Sequence, residues 1–285
     1  MWASTSNDQR GTCVNWFRTR LKAAVWRLWW SAGYSVTSIA KQQAEAKRLS
    51  RERWRWLETL GIETLVDVGA NVGQFARGYL QHRPGSLVYS FEPLEDCFLE
   101  LQREMGGVPG FTAFNVALGD SEDEVDFYRS GFSPSSSLLP MGQTHKELFP
   151  FTSEITSEKV AQRTLDSFFG GIAIRGGLLI KIDVQGAEAR VLKGGRQFLS
   201  VADAVLVEVG YCSLYEGQAT IQEISGFLDN YGFAFTGIID QYLRPVDSLP
   251  VYGDALFVRR AALEPCGPLS SSDADVPLAG APMGS

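Results

Sequence analysis

Two neighbouring segments constrain the fold of this chain more than anything else in it: LVDVGANVGQF at residues 65–75 and SLVYSFEP at residues 86–93. Leu65, Val66 and Val68 form a short apolar run bounded by glycine, the pattern of a strand covered on both faces. Gly69 and Gly73 lie four apart. The first can take a tight turn, and the second allows a helix or a ligand to approach the backbone closely. The loop feeds a helix starting near Gly73 and Gln74, whose free N–H groups and positive dipole end attract a carboxylate or phosphate. A second strand follows and ends on Glu92. Buried strand, glycine turn, helix and a second strand with an acid at its tip make the plan of a nucleotide-type cofactor site in an open α/β sheet.

The details narrow the ligand. A dinucleotide fingerprint needs G-x-G-x-x-G, but the positions two and five after Gly69 are Asn71 and Gln74, which disfavours a pyrophosphate. Glu92 stands 25 positions after Asp67, where an acidic side chain can accept both hydroxyls of a ribose. A ribose ligand without a pyrophosphate points to S-adenosyl-L-methionine.

At 285 residues and 45% hydrophobic content the chain can bury a large core, and one α/β domain of roughly 200 residues plus tails is expected. Cysteines at 13, 97, 212 and 266 form no C-x-x-C pair, so they read as reduced cytoplasmic thiols rather than a disulfide framework or zinc site. His82 and His145 are isolated, and no metal site is expected. Charge is uneven. Residues 1–55 carry eleven Lys or Arg against three acids, leaving fifteen against thirty in the remainder. An acidic body lacks the clustered cationic surface that phosphate neutralisation needs, so nucleic acid is not an expected partner.

The basic arm has its own pattern. Val14, Phe17, Leu21, Ala24, Val25 and Leu28 recur at helical spacing, with Arg18, Lys22 and Arg27 away from the stripe and Trp16, Trp26, Trp29 and Trp30 crowding it. Such a helix can lie in a membrane interface, or it can pack on the domain or on a second subunit. It is too short and charged to span a bilayer, which takes about 20 mostly apolar residues, and arginines interrupt any secretory-signal core. Residues 41–60 form a second helical stretch. Residues 264–285 are rich in Pro, Gly, Ser and Ala and read as a disordered tail. The expected organisation is a helical extension over 1–60, a folded domain over 61–261 and a tail from 262, in a cytoplasmic protein with peripheral membrane association as an option.

Between the tails, strands are expected near 65–68, 86–91, 111–116, 178–183, 204–209, 232–239 and 253–259, and helices near 73–81, 94–105, 186–199 and 218–230. Alternation with short loops argues for a parallel sheet flanked by helices, closed by an antiparallel hairpin. Residues 120–163 break the pattern with a strand-like EVDFYR, the run Ser135-Ser136-Ser137 and a polar stretch; such insertions beside a crevice often carry substrate contacts. In the fourth strand, alternation sets Leu179, Lys181 and Asp183 on one face. A lone buried ammonium is costly, so Lys181 needs a carboxylate. Glu208 in the next strand is the first candidate partner and Asp183 the other.

DVGANVGQFA, FEPLEDCFLEL, NVALGD, the Ser-Ser-Ser-Leu segment, RTLDSFF, LLIKIDVQGAEARVLKGG, VLVEVGY and GDALFVRR occur in this order between about residues 62 and 260. Together they resemble the FkbM family of S-adenosylmethionine-dependent methyltransferases. The resemblance implies a class I methyltransferase fold, α/β and Rossmann-like, with a seven-stranded mostly parallel sheet, helices on both faces and a reversed last strand. It also implies O-methylation of a sugar, glycan or natural-product hydroxyl, the acceptor being the expected partner. Carried onto this chain, Asp67, Gly69, Ala70, Asn71 and Gly73 bracket the methionine half of the cofactor, with Asp67 turned toward its amine or a bound water. Glu92, followed by Pro93, holds the ribose, and Asn115, Val116 and Ala117 end the third strand beside the adenine. Asp67 as a helix cap and Glu92 as an N-terminal helix charge are the structural alternatives.

Methyl transfer to an alcohol gains from a base that takes the proton as the bond forms. Asp183 is the first choice, as base or as a group orienting acceptor and cofactor, then Glu208, then His145. A purely structural role for Asp183, Lys181 and Glu208 is the competing reading. Glu188 reads as an N-terminal helix charge rather than a metal ligand. Tyr211, Tyr215 and Tyr242, expected in loops after the fifth and sixth strands, could stack on an acceptor or simply pack; Ser135, Ser136 and Ser137 could bond one or form a turn. Two other functional classes stay open at this point: a nicotinamide oxidoreductase, against which the glycine spacing counts, and a non-catalytic interaction module that keeps the fold.

Overall fold

The computed structural model describes residues 54–263 together with Arg48 and Glu52. The Trp-rich stripe at 14–30, most of the 41–60 stretch and the tail from 264 lie outside the described residues. The described chain runs β1 (Ile62–Val68), α1 (Gln74–His82), β2 (Leu87–Phe91), α2 (Glu95–Met105) and β3 (Phe111–Phe114). An insertion follows: β4 (Ala117–Gly119), β5 (Asp123–Ser130), α3 (Gln143–Leu148) and β6 (Ile155–Thr164). The alternation then resumes with β7 (Gly177–Ile182), α4 (Glu188–Lys193), α5 (Arg196–Val201), β8 (Ala204–Gly210), α6 (Ile221–Asn230), β9 (Phe233–Leu243) and β10 (Pro250–Arg259).

The main sheet has seven strands in the order β3-β2-β1-β7-β8-β10-β9. Neighbours are parallel except β10, which slots antiparallel between β8 and β9. This is the topology that the resemblance implies. Period-two alternation splits the core between its faces. Val66, Val68, Ile180, Ile182, Val205 and Val207 pack with Val191, Phe198 and Leu228 of α4, α5 and α6. Leu65, Leu179 and Leu206 pack with Ala76, Tyr79 and Leu101 of α1 and α2, and with Leu57. Each Val, Leu, Ile or Phe among them, fully buried, contributes roughly 1.5–3 kcal/mol relative to exposure. β1 and β7 are neighbours from which the chain order runs in opposite directions, so a crevice opens beyond their carboxyl ends.

Four expectations need correction. The third strand stops at Phe114 instead of 116; Asn115 and Val116 leave the sheet, and Ala117 begins β4 of a second sheet. The cause is the Asn115 side chain, whose Nδ2 donates to the carbonyls of Glu92 (3.0 Å) and Pro93 (2.9 Å) and fixes the exit. The helix expected over 186–199 is two helices broken at Gly194-Gly195. A Cβ on Gly194 would meet the Gly119 carbonyl oxygen at 2.0 Å, so β4 presses on the break. The insertion is a three-stranded sheet, β4-β6-β5, although only its EVDFYR strand was expected. Tyr242 lies within β9, not in a loop.

Candidate active site

The glycine turn forms as its residue types require. Gly69 (φ +78°), Asn71 (φ +48°) and Gly73 (φ +84°) all take left-handed conformations. Gly69 and Ala70 both donate to the Phe91 carbonyl at 3.0 Å, and Gly73 donates to Ala70 at 2.8 Å. The close approaches come from the protein itself. A Cβ on Gly69 would sit 1.9 Å from the Asp183 carbonyl oxygen, and one on Gly73 would sit 2.7 Å from Leu101 Cδ1. α1 opens from Gly73 with no side-chain cap, which leaves first-turn N–H groups for an anionic ligand.

Glu92 is buried at the tip of β2. Its Oε2 accepts from the Asn71 N–H (2.8 Å) and its Oε1 from the Leu94 N–H (2.9 Å). A carboxylate offers about four lone-pair directions, so these two bonds leave one on each oxygen for a diol. Burial pushes the Glu92 carboxyl up to about 7, against the pull of the two N–H groups. Asn71 accepts from the Val72 N–H at 2.9 Å and donates to Ser133 Oγ at 3.2 Å, joining the turn to the insertion. The Pro93 carbonyl accepts from Asn115, and the neighbouring chain positions Leu94 and Val116 are buried.

Directly beneath the glycine turn lies an ionic cluster, with Lys181 Nζ 3.5 Å from the Gly69 carbonyl oxygen. Asp67 has no exposure and stands in register between Ser90 of β2 and Lys181 of β7. Lys181 Nζ is 3.4 Å from Asp67 Oδ1 and 3.3 Å from Asp183 Oδ2. Its carboxylates are therefore Asp67 and Asp183, of which the sequence pointed to Asp183, and the Glu208 partnership expected from sequence is corrected: the strand on the opposite flank, β1, supplies the second contact. Burial alone would lower the ammonium, but Asp183, Asp67 and Asp254 outweigh it and hold Lys181 above its ordinary range. Asp67 faces this ammonium, fully buried below the turn.

Glu208 is tied in through Gln185, a residue that sequence reading passed over. Gln185 Nε2 donates to Asp183 Oδ1 and to Glu208 Oε2, both at 2.8 Å, and its Oε1 accepts from the Tyr215 hydroxyl at 2.9 Å. Burial, then Asp183, Glu188 and Asp254, raise the Glu208 carboxyl well above the usual range. Glu188 accepts from the N–H groups of Gly186 (2.9 Å) and Val184 (3.2 Å), so it braces the loop after β7 at the start of α4. Asp183 itself is partly open, with its side chain 31% exposed.

The remaining candidates have structural placements. Tyr215 is buried, while Tyr211 is exposed just beyond β8. Ser137 Oγ donates to the Gln185 carbonyl (2.7 Å), Ser136 Oγ accepts from the Ser130 N–H (3.0 Å) and the Ser135 carbonyl lies 3.1 Å from the Tyr215 hydroxyl. The serine run thus docks the insertion on the loop after β7. His145 is buried edge-on against Phe149 and Tyr215, both at 5.1 Å, and burial pushes its imidazole down to about 4. The structure does not bring it to Asp183 through any hydrogen bond. Among the described residues, Cys97 and Cys212 are free, no group of three or more His, Cys, Asp or Glu is arranged to hold a metal, and no helix is long and apolar enough to cross a membrane.

Comparison with known proteins places these residues in a context. Residues 67–235 match the methyltransferase FkbM domain. The 2-O-methyltransferase NoeI of Sinorhizobium fredii is 28% identical over 173 residues, covering 59% of this chain and 71% of that protein. Methyltransferase 1 of Beauveria bassiana is 30% identical over 188 residues, covering 60% and 72%. The 31-O-demethyl-FK506 methyltransferase FkbM of Streptomyces tacrolimicus is 27% identical over 197 residues, again covering 60% and 72%. The matched stretch runs from Asp67 and the glycine turn into β9 and includes Glu92, Asp183, Gln185 and Glu208.

Proposed function

The chain belongs to the FkbM family of S-adenosylmethionine-dependent methyltransferases, and from that premise we propose that its acceptor is a hydroxyl of a sugar, glycan or natural product. Relatives named as a 2-O-methyltransferase and a 31-O-demethyl-FK506 methyltransferase support oxygen as the acceptor atom. The family match sets the nicotinamide reading aside. The observation that carries the proposal is the pairing of Asp183 with Glu208 through Gln185 at the carboxyl ends of β7 and β8, directly against the glycine turn.

The residues present fit the cofactor. The uncapped N-terminus of α1 suits its carboxylate, the free lone pairs of Glu92 suit the ribose diol, and Leu94, Val116 and the Asn115-locked loop form the adenine side. When bound, S-adenosyl-L-methionine supplies an electrophilic methyl on sulfur. The protein aligns the acceptor oxygen with that methyl and excludes water, which supplies most of the acceleration. Asp183 Oδ takes the hydroxyl proton as the oxygen attacks, worth typically ~10²- to 10⁴-fold. Lys181 and the Gln185 amide fix the direction of that carboxylate. Glu208, whose carboxyl burial and the neighbouring acids raise above the ordinary range, orients the acceptor rather than serving as the base. No metal enters this scheme.

Extracts screened for transfer of a labelled methyl group, with mass analysis of the product, test the assignment. Label on a hydroxyl oxygen is expected; label on nitrogen or carbon would overturn the acceptor class, and no transfer by a chain that binds the cofactor would favour a non-catalytic module. Asp183→Asn should lower kcat by about 10²- to 10⁴-fold. For the basic arm at 14–30 we propose association with an anionic membrane surface or a second copy of the chain, tested by co-sedimentation with anionic vesicles.

A further inference from the structure

Gln185 has an unusual backbone for its residue type. Its φ is +56°, a left-handed conformation that glycine adopts readily and glutamine rarely. Such a residue persists only where its surroundings over-determine it. Here they do so on every side. The Ser137 hydroxyl donates to its carbonyl at 2.7 Å, and the next residue, Gly186, lies so close to Tyr215 that an added Cβ would sit 2.8 Å from the tyrosine Cβ.

The side chain is equally determined. An amide nitrogen has two protons, and both are committed, one to Asp183 Oδ1 and one to Glu208 Oε2. The amide oxygen takes the Tyr215 hydroxyl proton, since Gln185 Oε1 at 2.9 Å is nearer than the Ser135 carbonyl at 3.1 Å. The flipped amide would turn Oε1 toward two carboxyl oxygens and leave both of them without the N–H donors they now have, so the neighbouring acids favour the observed orientation. The two carboxyl groups are not equivalent. Asp183 has the Lys181 ammonium at 3.3 Å, whereas Glu208 has no ion-pair partner among the described residues and faces Asp183, Glu188 and Asp254.

We infer that Gln185 is a positioning residue for proton transfer at this site: its amide, oriented by Tyr215, holds Asp183 and Glu208 as one acid–base pair in which Asp183 is the carboxylate and Glu208 keeps the proton. The proton released by an acceptor hydroxyl as its oxygen gains the methyl would then go to Asp183, the cofactor leaving as the neutral thioether, and no other side chain of the protein changes charge. Gln185 acts only through the two acids. The inference rests on the methyltransferase reading for its purpose, but the geometry can be tested without an acceptor.

The experiment is a titration of the full chain with ¹³C-labelled Asp and Glu carboxyl groups, followed by NMR. Asp183→Asn and Glu208→Gln assign the two resonances. Groups facing the pair are Asp67 on β1, Lys181 on β7, Glu188 on α4, Asp254 and Tyr252 on β10, and Tyr215; all stay in place in Gln185→Met, and all but the Tyr215 hydroxyl in Tyr215→Phe. Gln185→Met keeps length and removes both donors. Losing the N–H bond that favours the ionised form should raise the Glu208 midpoint by about one unit. Tyr215→Phe frees the amide and should shift it in the same direction by less, and the double variant should add little to Gln185→Met. Midpoints that stay in place in folded variants, with only the melting temperature lowered, would overturn the inference and leave Gln185 a structural residue. If Gln185→Met does not fold, Tyr215→Phe decides by the same criterion. Calorimetry with S-adenosyl-L-methionine separates the two layers: a wild-type chain that fails to bind it refutes the functional reading, whereas normal binding with unmoved midpoints refutes only the role of Gln185.

Discussion

Glu92→Gln asks whether the acid at the tip of β2 holds a ribose. The carboxylate satisfies two backbone donors, the N–H groups of Asn71 and Leu94, and keeps one lone pair per oxygen for a diol. Glutamine preserves the shape but offers only one acceptor oxygen. One backbone N–H then meets an NH₂, one diol hydroxyl loses its acceptor, and the other bonds to a neutral oxygen. Exchanging charge-assisted for neutral or missing bonds costs about 2–4 kcal/mol, roughly 30- to 700-fold in Kd for S-adenosyl-L-methionine. The gap should depend on pH. Burial holds the Glu92 carboxyl near 7, so at pH 6 most of the wild-type chain carries a protonated acid resembling the amide. Between pH 8 and pH 6 the ratio of variant to wild-type Kd should therefore shrink by about tenfold. Taking the ratio cancels titration of the ligand's own ammonium. Isothermal calorimetry at pH 6, 7 and 8 measures it. Equal affinities at pH 8, or a gap that ignores pH, would refute the reasoning.

Three further outcomes are expected. Gly69→Ala combines a left-handed φ with a Cβ only 1.9 Å from the Asp183 carbonyl oxygen, and should destabilise the chain by about 2–5 kcal/mol in urea denaturation; a loss below about 0.5 kcal/mol would mean the turn relaxes. Lys181→Met strands the buried Asp67 carboxylate and should cost roughly 3–5 kcal/mol, largely restored in the double variant with Asp67→Asn; an equally unstable double variant would show that the ion pair is not the cause. Glu188 is raised from 4.5 to about 7 by burial, so its contribution is full below pH 4.5 and is lost as pH rises through 7, because the folded chain binds the extra proton. Glu188→Gln should make that fall in stability shallower by roughly 3 kcal/mol. Denaturation at pH 5 and 7.5 checks it, and identical slopes would remove Glu188 from the account. His145, lowered to about 4, works in the opposite sense, losing stability as pH falls from 6.5.

The residues of the glycine turn and the β2 tip could be read from sequence because each signal is local. Apolar spacing, two glycines and an acid at a strand end describe backbone conformations within a few residues of themselves. The alternation of strands and helices indicated a parallel sheet, and the motifs in their order implied seven strands with the last reversed; the order of the strands came from the structure. Residues 155–164 gave no such signal, since ITSEKVAQRT buries only Val160 and Gln162 fully and carries polar residues nearly throughout. The end of the third strand was also hidden, because the side chain of Asn115 terminates it by reaching carbonyls 22 and 23 positions back.

The sequence by itself determined that Lys181 would be buried and need an acid, since an ammonium inside an apolar strand leaves no other solution. Only the tertiary structure decided which acid. Parallel pairing sets Asp67 of β1 beside Lys181, while Glu208, on the other flank, receives an amide proton from Gln185 instead. Hydrophobic periodicity specifies which side of a strand is buried, but hydrogen bonds and ion pairs are satisfied across strands. Their partners are fixed by register and turn geometry, which arise only when the sheet assembles.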